Sequence, residues 1–344
     1  MMDRSSEHNI PMQQPGYAGA DISRWFRIVR DRSTRAASLE AGKDVRWRLF
    51  AGPVVRRIDF SRPIAEGEGR GTFPLTVPDS ARSYFEIETD EGRAILAERR
   101  LPLSGAYNFR DLGGIAAQDG RRVKWGRIFR SDDLCGLTGA DLEYLAAIPI
   151  VTVVDFRADD ETEQCPDRLP SSVVQDRHLA ISPGNLTKEA RKLVTLDASA
   201  IDGMMEQIYL RLVSDKEYVK RYREFFALLQ SEENTPLVFH CSAGKDRTGI
   251  AAALVLTALG VDMRTVMTGY LASNGYLESK YSEYIRQMPN LGALFGVKAG
   301  FLDAAFNRIR KDYGSADEFL RGELKVDIPR FRELYLDTPQ PFFR

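Results

Sequence analysis

The sequence is short of several things. Its 344 residues contain three cysteines, Cys135, Cys165 and Cys241, and three histidines, His8, His178 and His240. Three scattered cysteines are too few for a disulfide framework, and they point to a reducing, cytoplasmic setting. No two histidines stand at metal-ligand spacing, which disfavours metal-dependent hydrolysis; no metal or other cofactor is expected. No apolar run approaches the ~18 residues of a membrane span. The opening stretch, MMDRSSEHNIPMQQPG, lacks the apolar centre of a secretion signal and reads as part of a disordered leader over residues 1–20. Net charge is −1, so no global field draws the chain to nucleic acid. The sequence does not specify an oligomeric state.

What remains is an ordinary globular composition, 43% hydrophobic and 28% charged. Residues 21–97 read as short strands separated by Gly, Pro and Asp turns: VRWRLF sets Val45, Trp47 and Leu49 on one face and Arg46 and Arg48 on the other. GTFPLTV and RSYFEIE continue the pattern, which predicts a small β-sandwich-like domain. Between Asp21 and Arg62 there are 11 basic and 5 acidic residues. The excess reads as solvated strand faces, with a docking surface for an acidic partner or a lipid headgroup as the alternative.

From residue 98 to 344 the texture changes. TGADLEYLAAI begins with a capping box at Thr138 and Asp141 and reads as a helix. IVTVVDF is a continuous apolar, β-branched run, the mark of a strand covered on both faces. A further strand is expected in VVQDRHLAI, helix from about Ile201 to Gln230, strand in PLVFH, and helix in TGIAAALVLTALG. Helical patterns then continue from Met263. The alternation predicts an α/β domain with a sheet covered by helices.

The stretch with the most chemistry is HCSAGKDRTG, His240 to Gly249, at a strand–loop–helix junction. Unpaired amides and the helix dipole make such a junction an anion site. A phosphate cradled by the backbone of Ser242, Ala243, Gly244, Lys245, Asp246 and Arg247 would sit above the Cys241 sulfur. Arg247 can grip two oxygens at once, and Gly244 permits the curl. The positive surroundings favour the thiolate form of Cys241, the nucleophile. Thr248 can donate a hydrogen bond to that sulfur, and His240 reads as a brace. A nucleotide-binding loop is excluded, because Phe239 occupies its first glycine position and Asp246 follows the lysine.

HCSAGKDRTG resembles the active-site loop of cysteine-dependent tyrosine phosphatases. Together with NFRDLGG (Asn108 to Gly114) and VVDFRADDETE, it resembles the atypical bacterial tyrosine and lipid phosphatases over roughly residues 100–340. The resemblance implies phosphomonoester hydrolysis through a cysteinyl-phosphate on an α/β phosphatase fold, without a metal. It implies a phosphorylated protein as the substrate partner, with phosphotyrosine first and phosphoserine or phosphothreonine if the pocket is shallow; the alternative is a phosphoinositide or inositol phosphate. No function is carried onto the N-terminal segment.

Such hydrolysis needs an acid for the leaving oxygen. None of Trp25, Trp47 and Trp125 precedes Pro-Asp, and Asp215 sits in a predicted helix. Asp246 is the economical candidate, projecting over the rim, and the resemblance supports it. Its alternative role is to pair with a nearby Arg or Lys, and Asp167 is the reserve acid. Lys245 reads as reaching a second phosphate or as a rim charge. Arg157 emerges at the ligand end of the sheet or pairs with Asp155 or Glu161. Arg110 and Asp111 read as braces. Cys135 and Cys165 read as bystanders; the alternative is that either one forms a reversible disulfide that protects oxidised Cys241. Other classes stay open: a phosphate-reading module without turnover, and a redox or arsenate-reducing thiol enzyme.

Overall fold

The computed structural model describes residues 14–183, 196–288 and 292–338. Most of the expected leader therefore lies outside the described residues. Its last residues do not behave as a leader: Ala18–Gly19 (β1) pairs with Gly92–Leu96 (β8), and Tyr17 is buried.

Alternation builds the first two sheets. In Arg46–Gly52 (β4), Trp47 and Leu49 are buried while Arg46 and Arg48 face solvent. One antiparallel sheet runs β1, β8, Tyr84–Thr89 (β7), β4, Ala65–Glu68 (β5), and a second runs Phe26–Arg30 (β2), Ala37–Ala41 (β3), Gly71–Leu75 (β6). Ile28, Leu39, Leu49, Phe85 and Ile87 belong to their common core, each such side chain contributing about 1.5–3 kcal/mol on burial. The basic excess divides in two. Arg27, Arg46 and Arg48 pair with Glu40, Glu68 and Glu88 on strand faces. Arg30, Arg32 and Arg35 instead reach Glu98, the Leu103 and Ala106 carbonyls, and Asp141, tying the sandwich to the second half of the chain.

That second half is organised by a five-stranded sheet in the order Gln175–His178 (β13), Thr152–Asp155 (β12), Leu237–His240 (β14), Ile128–Ser131 (β11), Arg110–Asp111 (β9). The first four are parallel, and β9 is antiparallel to β11. Strands β11, β12 and β14 are buried throughout, while β13 is an exposed edge. Asp155 and Ser131 both stand opposite His240, so the three central strands end at one level. A two-stranded pair, Arg122–Val123 (β10) with Leu336–Asp337 (β15), was not foreshadowed by the helical C-terminal pattern.

Helices cover both faces of this sheet. Gly139–Ala147 (α1), with the expected capping box, packs Tyr144 and Leu145 against Phe109, Phe129, Val153 and Val238. Asp159–Gln164 (α2) comes after β12. The predicted long helix divides into Ala198–Ser214 (α3) and Lys216–Leu229 (α4) at Asp215, whose carboxylate accepts the Glu217 N–H. Asp215 is thus a helix cap. Arg247–Ala258 (α5) leaves β14, followed by Met263–Leu271 (α6), Ser273–Gln287 (α7), Gly292–Phe295 (α8), Ala299–Tyr313 (α9), Ala316–Gly322 (α10) and Ile328–Tyr335 (α11). Residues of α3, α4 and α5 join Val154, Leu237 and Phe239 in the core on the opposite face. The architecture is α/β, with an antiparallel sandwich at the N-terminal side.

Arg82 joins the two parts. Buried, it donates to the Asp111 carboxylate at 2.7 Å and to the Glu98 carbonyl at 2.8 Å. Removing one partner of a buried ion pair strands the other charge. Arg82→Met is expected to lower the unfolding free energy by about 3–5 kcal/mol in a denaturant titration; a loss below about 1 kcal/mol would place the pair among weak surface contacts.

Candidate active site

The loop from Cys241 to Asp246 joins β14 to α5, as expected. Cys241 is buried and is a free thiol. Gly244 has φ +63°, and a Cβ there would come within 2.2 Å of the Ser131 carbonyl oxygen, so no other residue fits. Other segments satisfy the loop's carbonyls. Asn108 Nδ2 donates to Ala243 O and Gly244 O at 3.1 Å each, and Arg130 also donates to Gly244 O. The Asp133 amide donates to Ser242 O, and the Tyr222 hydroxyl donates to Arg247 O. Asp132 accepts the Tyr107 and Asn108 amides and, at 2.8 Å, Lys280 Nζ from α7. Arg130, Asp132 and Lys280 are not singled out by the sequence, since nothing in their local pattern announces a contact to a distant loop; Asn108 heads the NFRDLGG motif, which does not itself announce the contact.

Arg247 opens α5, and Glu161 of α2 holds it. The guanidinium donates to both Glu161 oxygens, at 2.6 and 2.9 Å, and the Ser242 hydroxyl donates to Glu161 as well. Burial works against the Glu161 carboxylate, but Arg247 and Ser242 outweigh it and lower its pKa. The Phe156 and Ile181 carbonyls complete the arginine's shell. The sequence pattern offers Glu161 as a possible partner of Arg157; the structure gives it to Arg247. An acidic first turn directly after a buried strand was the available signal.

Arg157 lies beneath the loop, buried and paired with Asp155 and with Asp167 at 2.8 Å, and it donates to the Cys165 carbonyl. His240 Nε2 stands 2.9 Å from Asp167 in ion-pair contact and 3.9 Å from Asp155. Burial disfavours the imidazolium, yet Asp155 and Asp167 prevail and raise its pKa to about 9. His240 is held by these carboxylates, and its ring makes no hydrogen bond to the cysteine loop. Asp167, the reserve acid, is committed to this buried network. Asp155, Asp167 and His240 could converge on a cation, but the Arg157 guanidinium already supplies their positive charge.

Cys135 and Cys165 are not bystanders. They form a disulfide with each other, Cα–Cα 5.6 Å, across 30 residues. Nothing in the local pattern announces it, because β11 and β12 must be neighbours of β14 before the segments beyond them meet. Neither cysteine is the partner of Cys241, and the bond removes the argument from scarce cysteine to a reducing compartment.

Asp246 is partly exposed at the start of α5. It accepts from Tyr209 Oη at 2.7 Å and pairs with Lys245 Nζ at 2.8 Å; Tyr270 Oη in turn donates to Tyr209 Oη. Lys245 is buried in that pair, not extended as a rim charge or toward a second phosphate. The Thr248 hydroxyl is buried and has no hydrogen-bond partner, so the expected bond to the Cys241 sulfur is not made. Arg110 and Asp111, expected to brace the site, make their side-chain hydrogen bonds away from the cysteine loop. Arg110 donates to the Gly269 carbonyl and Ser273 hydroxyl, and Asp111 accepts from Arg82 and from the Gly113 and Gly126 amides.

Glu161→Gln is expected to weaken the grip on Arg247 and reduce kcat/KM for a phosphoester by about ten- to a hundredfold, read in steady-state kinetics. An unchanged value would make the pair incidental. For His240, the folded pKa lies above the unfolded value near 6.5. Its stabilising contribution is therefore complete below that unfolded value and disappears as pH rises through about 9. Denaturant titrations across this range should show stability falling for the wild type and a flatter profile for His240→Gln.

Comparison with known proteins gives a consistent result. The profile described as the tyrosine phosphatase family matches residues 101–337. A Cupriavidus necator protein, whose name assigns it provisionally to the tyrosine-protein phosphatases, is 35% identical over 243 residues, 67% of this chain and 85% of that one. The triple specificity protein phosphatase PtpB of Mycobacterium tuberculosis is 30% identical over 285 residues, 70% of this chain and 100% of its own. The crystal structure of P. aeruginosa TpbA covers 62% of this chain and 88% of its own at 18% identity; its TM-score of 0.25 is too low to carry an argument. The family profile spans both the NFRDLGG turn and the cysteine loop, and the chain belongs to the tyrosine phosphatase family, as a hydrolase of that kind.

Proposed function

We propose that the chain hydrolyses phosphomonoesters through a cysteinyl-phosphate, with phosphotyrosine in proteins as the first substrate class. The observation that carries this reading is the Arg247 fork, held two-pronged against a carboxylate at the end of a loop that begins on a free thiol. In the proposed first step the Cys241 sulfur attacks phosphorus and the bond to the ester oxygen breaks. Arg247 and the backbone amides from Ser242 onward hold the transferring oxygens as their charge grows. Asp246 gives its proton to the leaving oxygen and then, as carboxylate, takes one from the attacking water. Water cleaves the S–P bond, and the thiolate leaves; the unpartnered Thr248 hydroxyl is available to it. The partial exposure of Asp246 supports this role, and its Tyr209 and Lys245 contacts fix where it sits.

Phosphoserine and phosphothreonine are proposed as further substrates, in keeping with the named triple specificity of the mycobacterial relative. The phosphoinositide alternative rests on Lys245 and on the triplet Asp246-Arg247-Thr248; the pairing of Lys245 with Asp246 weakens the first of these supports. A binding module would not need a thiol at the pocket base. A redox enzyme would need a resolving thiol, and Cys135 and Cys165 are bonded to each other. Among the described residues no helix is long and apolar enough to cross a membrane. A cytoplasmic location remains part of the proposal.

Phosphate release from phosphotyrosine peptides, phosphoserine peptides and phosphoinositides, with chelator present, tests the scheme. Cys241→Ser is expected to lose turnover altogether. Asp246→Asn should slow release by about 10²–10⁴-fold, most severely with poor leaving groups. Equal slowing across leaving groups would move the acid to another residue, and tight binding without release would leave a phosphate-reading module.

A further inference from the structure

Behind the loop, on the other side of α5, lies a cavity of about 40 Å³. Its polar lining is Arg99, Arg110 and Arg130 together with Asp111 and Tyr270, with aliphatic groups from Leu112, Ala252 and Val266 around them. Arg110 and Arg130 are 4% and 2% exposed and stand directly opposite each other across the β9–β11 pair, where like charges repel.

The charges around this cavity do not cancel. Glu98 is taken by Arg30 and Arg82. Asp111 also faces the cavity, but its carboxylate is taken by Arg82 and by the Gly113 and Gly126 amides. For the three lining arginines the contacts are neutral. Arg99 donates to the Asp111 carbonyl, Arg110 to the Gly269 carbonyl and Ser273 hydroxyl, and Arg130 to the Gly244 carbonyl. Arg110 also lies over the Tyr276 ring, 4.9 Å from its centroid. The Nε atoms of Arg110 and Arg130 are buried with no partner. Burial, and for Arg110 the neighbouring Arg130, depress both guanidinium groups, Arg130 to about 10. Cys241 favours the charge on Arg130, whereas among the described residues no carboxylate is bonded to the Arg110 guanidinium. Buried charges of this kind are ordinarily paired or bound to an ion of opposite sign.

We propose that the cavity binds a small, weakly hydrated monovalent anion of chloride size between Arg110 and Arg130. The volume admits a small, water-sized occupant. The aliphatic wall favours an ion that sheds water readily. Arg99 also lines a larger cleft of about 730 Å³ with Arg24, Trp25, Trp125 and Tyr276, so the two cavities share that residue as a wall. Because Arg130 is bonded to Gly244, the ion steadies the cysteine loop from behind.

The test replaces gluconate by chloride at constant ionic strength and follows thermal unfolding of the full chain. The wild type is expected to rise by about 2 °C or more and to saturate. Arg110→Met is expected to lose that response. Bromide soaked into wild-type crystals should give an anomalous peak between Arg110 and Arg130, which keeps the question decidable if the variant does not fold. An equal response to chloride and gluconate overturns the proposal. So does a chloride response that survives in Arg110→Met, or a bromide peak that appears only in concentrated soaks with no saturable effect in solution.

Discussion

A loop that turns its amides toward an anion turns its carbonyls the other way, and a buried carbonyl needs a donor. That constraint organises the centre of this molecule. Ser242, Ala243, Gly244 and Arg247 each have a carbonyl met by a donor from elsewhere: the Asp133 amide, Asn108, Arg130 and Tyr222. These donors arrive from the NFRDLGG turn, from β11 and the residues after it, and from α4. The sheet order puts them within reach, because β14 lies between β11 and β12 and all three strands end together.

Charge is handled in the same distributed way. Beneath the loop, two carboxylates, an arginine and a protonated histidine make one balanced group at Asp155, Asp167, Arg157 and His240. At the mouth, Glu161 balances Arg247, and at the rim Lys245 balances Asp246. Each carboxylate lies on a different segment from its catalytic or bracing partner, save for Lys245–Asp246 and Asp155–Arg157. Low dielectric makes such pairs strong when complete and costly when broken. The positions of Cys241 and Arg247 therefore depend on the whole sheet.

The legible part of the sequence was the local part. HCSAGKDRTG carries its thiol, arginine and glycine within one loop, and the strand before it and helix after it can be read from hydrophobic pattern alone. The capping box at Thr138 and the alternation in VRWRLF are local for the same reason. Glu161 sits 86 residues before Arg247, and Asn108 135 before Ala243; no periodicity encodes such meetings. The Cys135–Cys165 bond was illegible on the same ground, and Lys245 was misjudged because a lysine beside an aspartate reads as solvated until burial is known. The β10–β15 pair consists of two residues on each side, too short to leave a pattern.

The Asp111 carboxylate has a consequence for modularity. It holds the NFRDLGG turn through Gly113, reaches the strand region through Gly126, and receives Arg82 from the sandwich. Trp125, from the catalytic half, sits in the sandwich core, and its indole donates to the Ile95 carbonyl. The N-terminal sheets are therefore not an interchangeable appendage that could be grafted onto another chain or discarded. The surface that would be a linker between independent modules is here a shared interior, and the two halves are constrained to change sequence together.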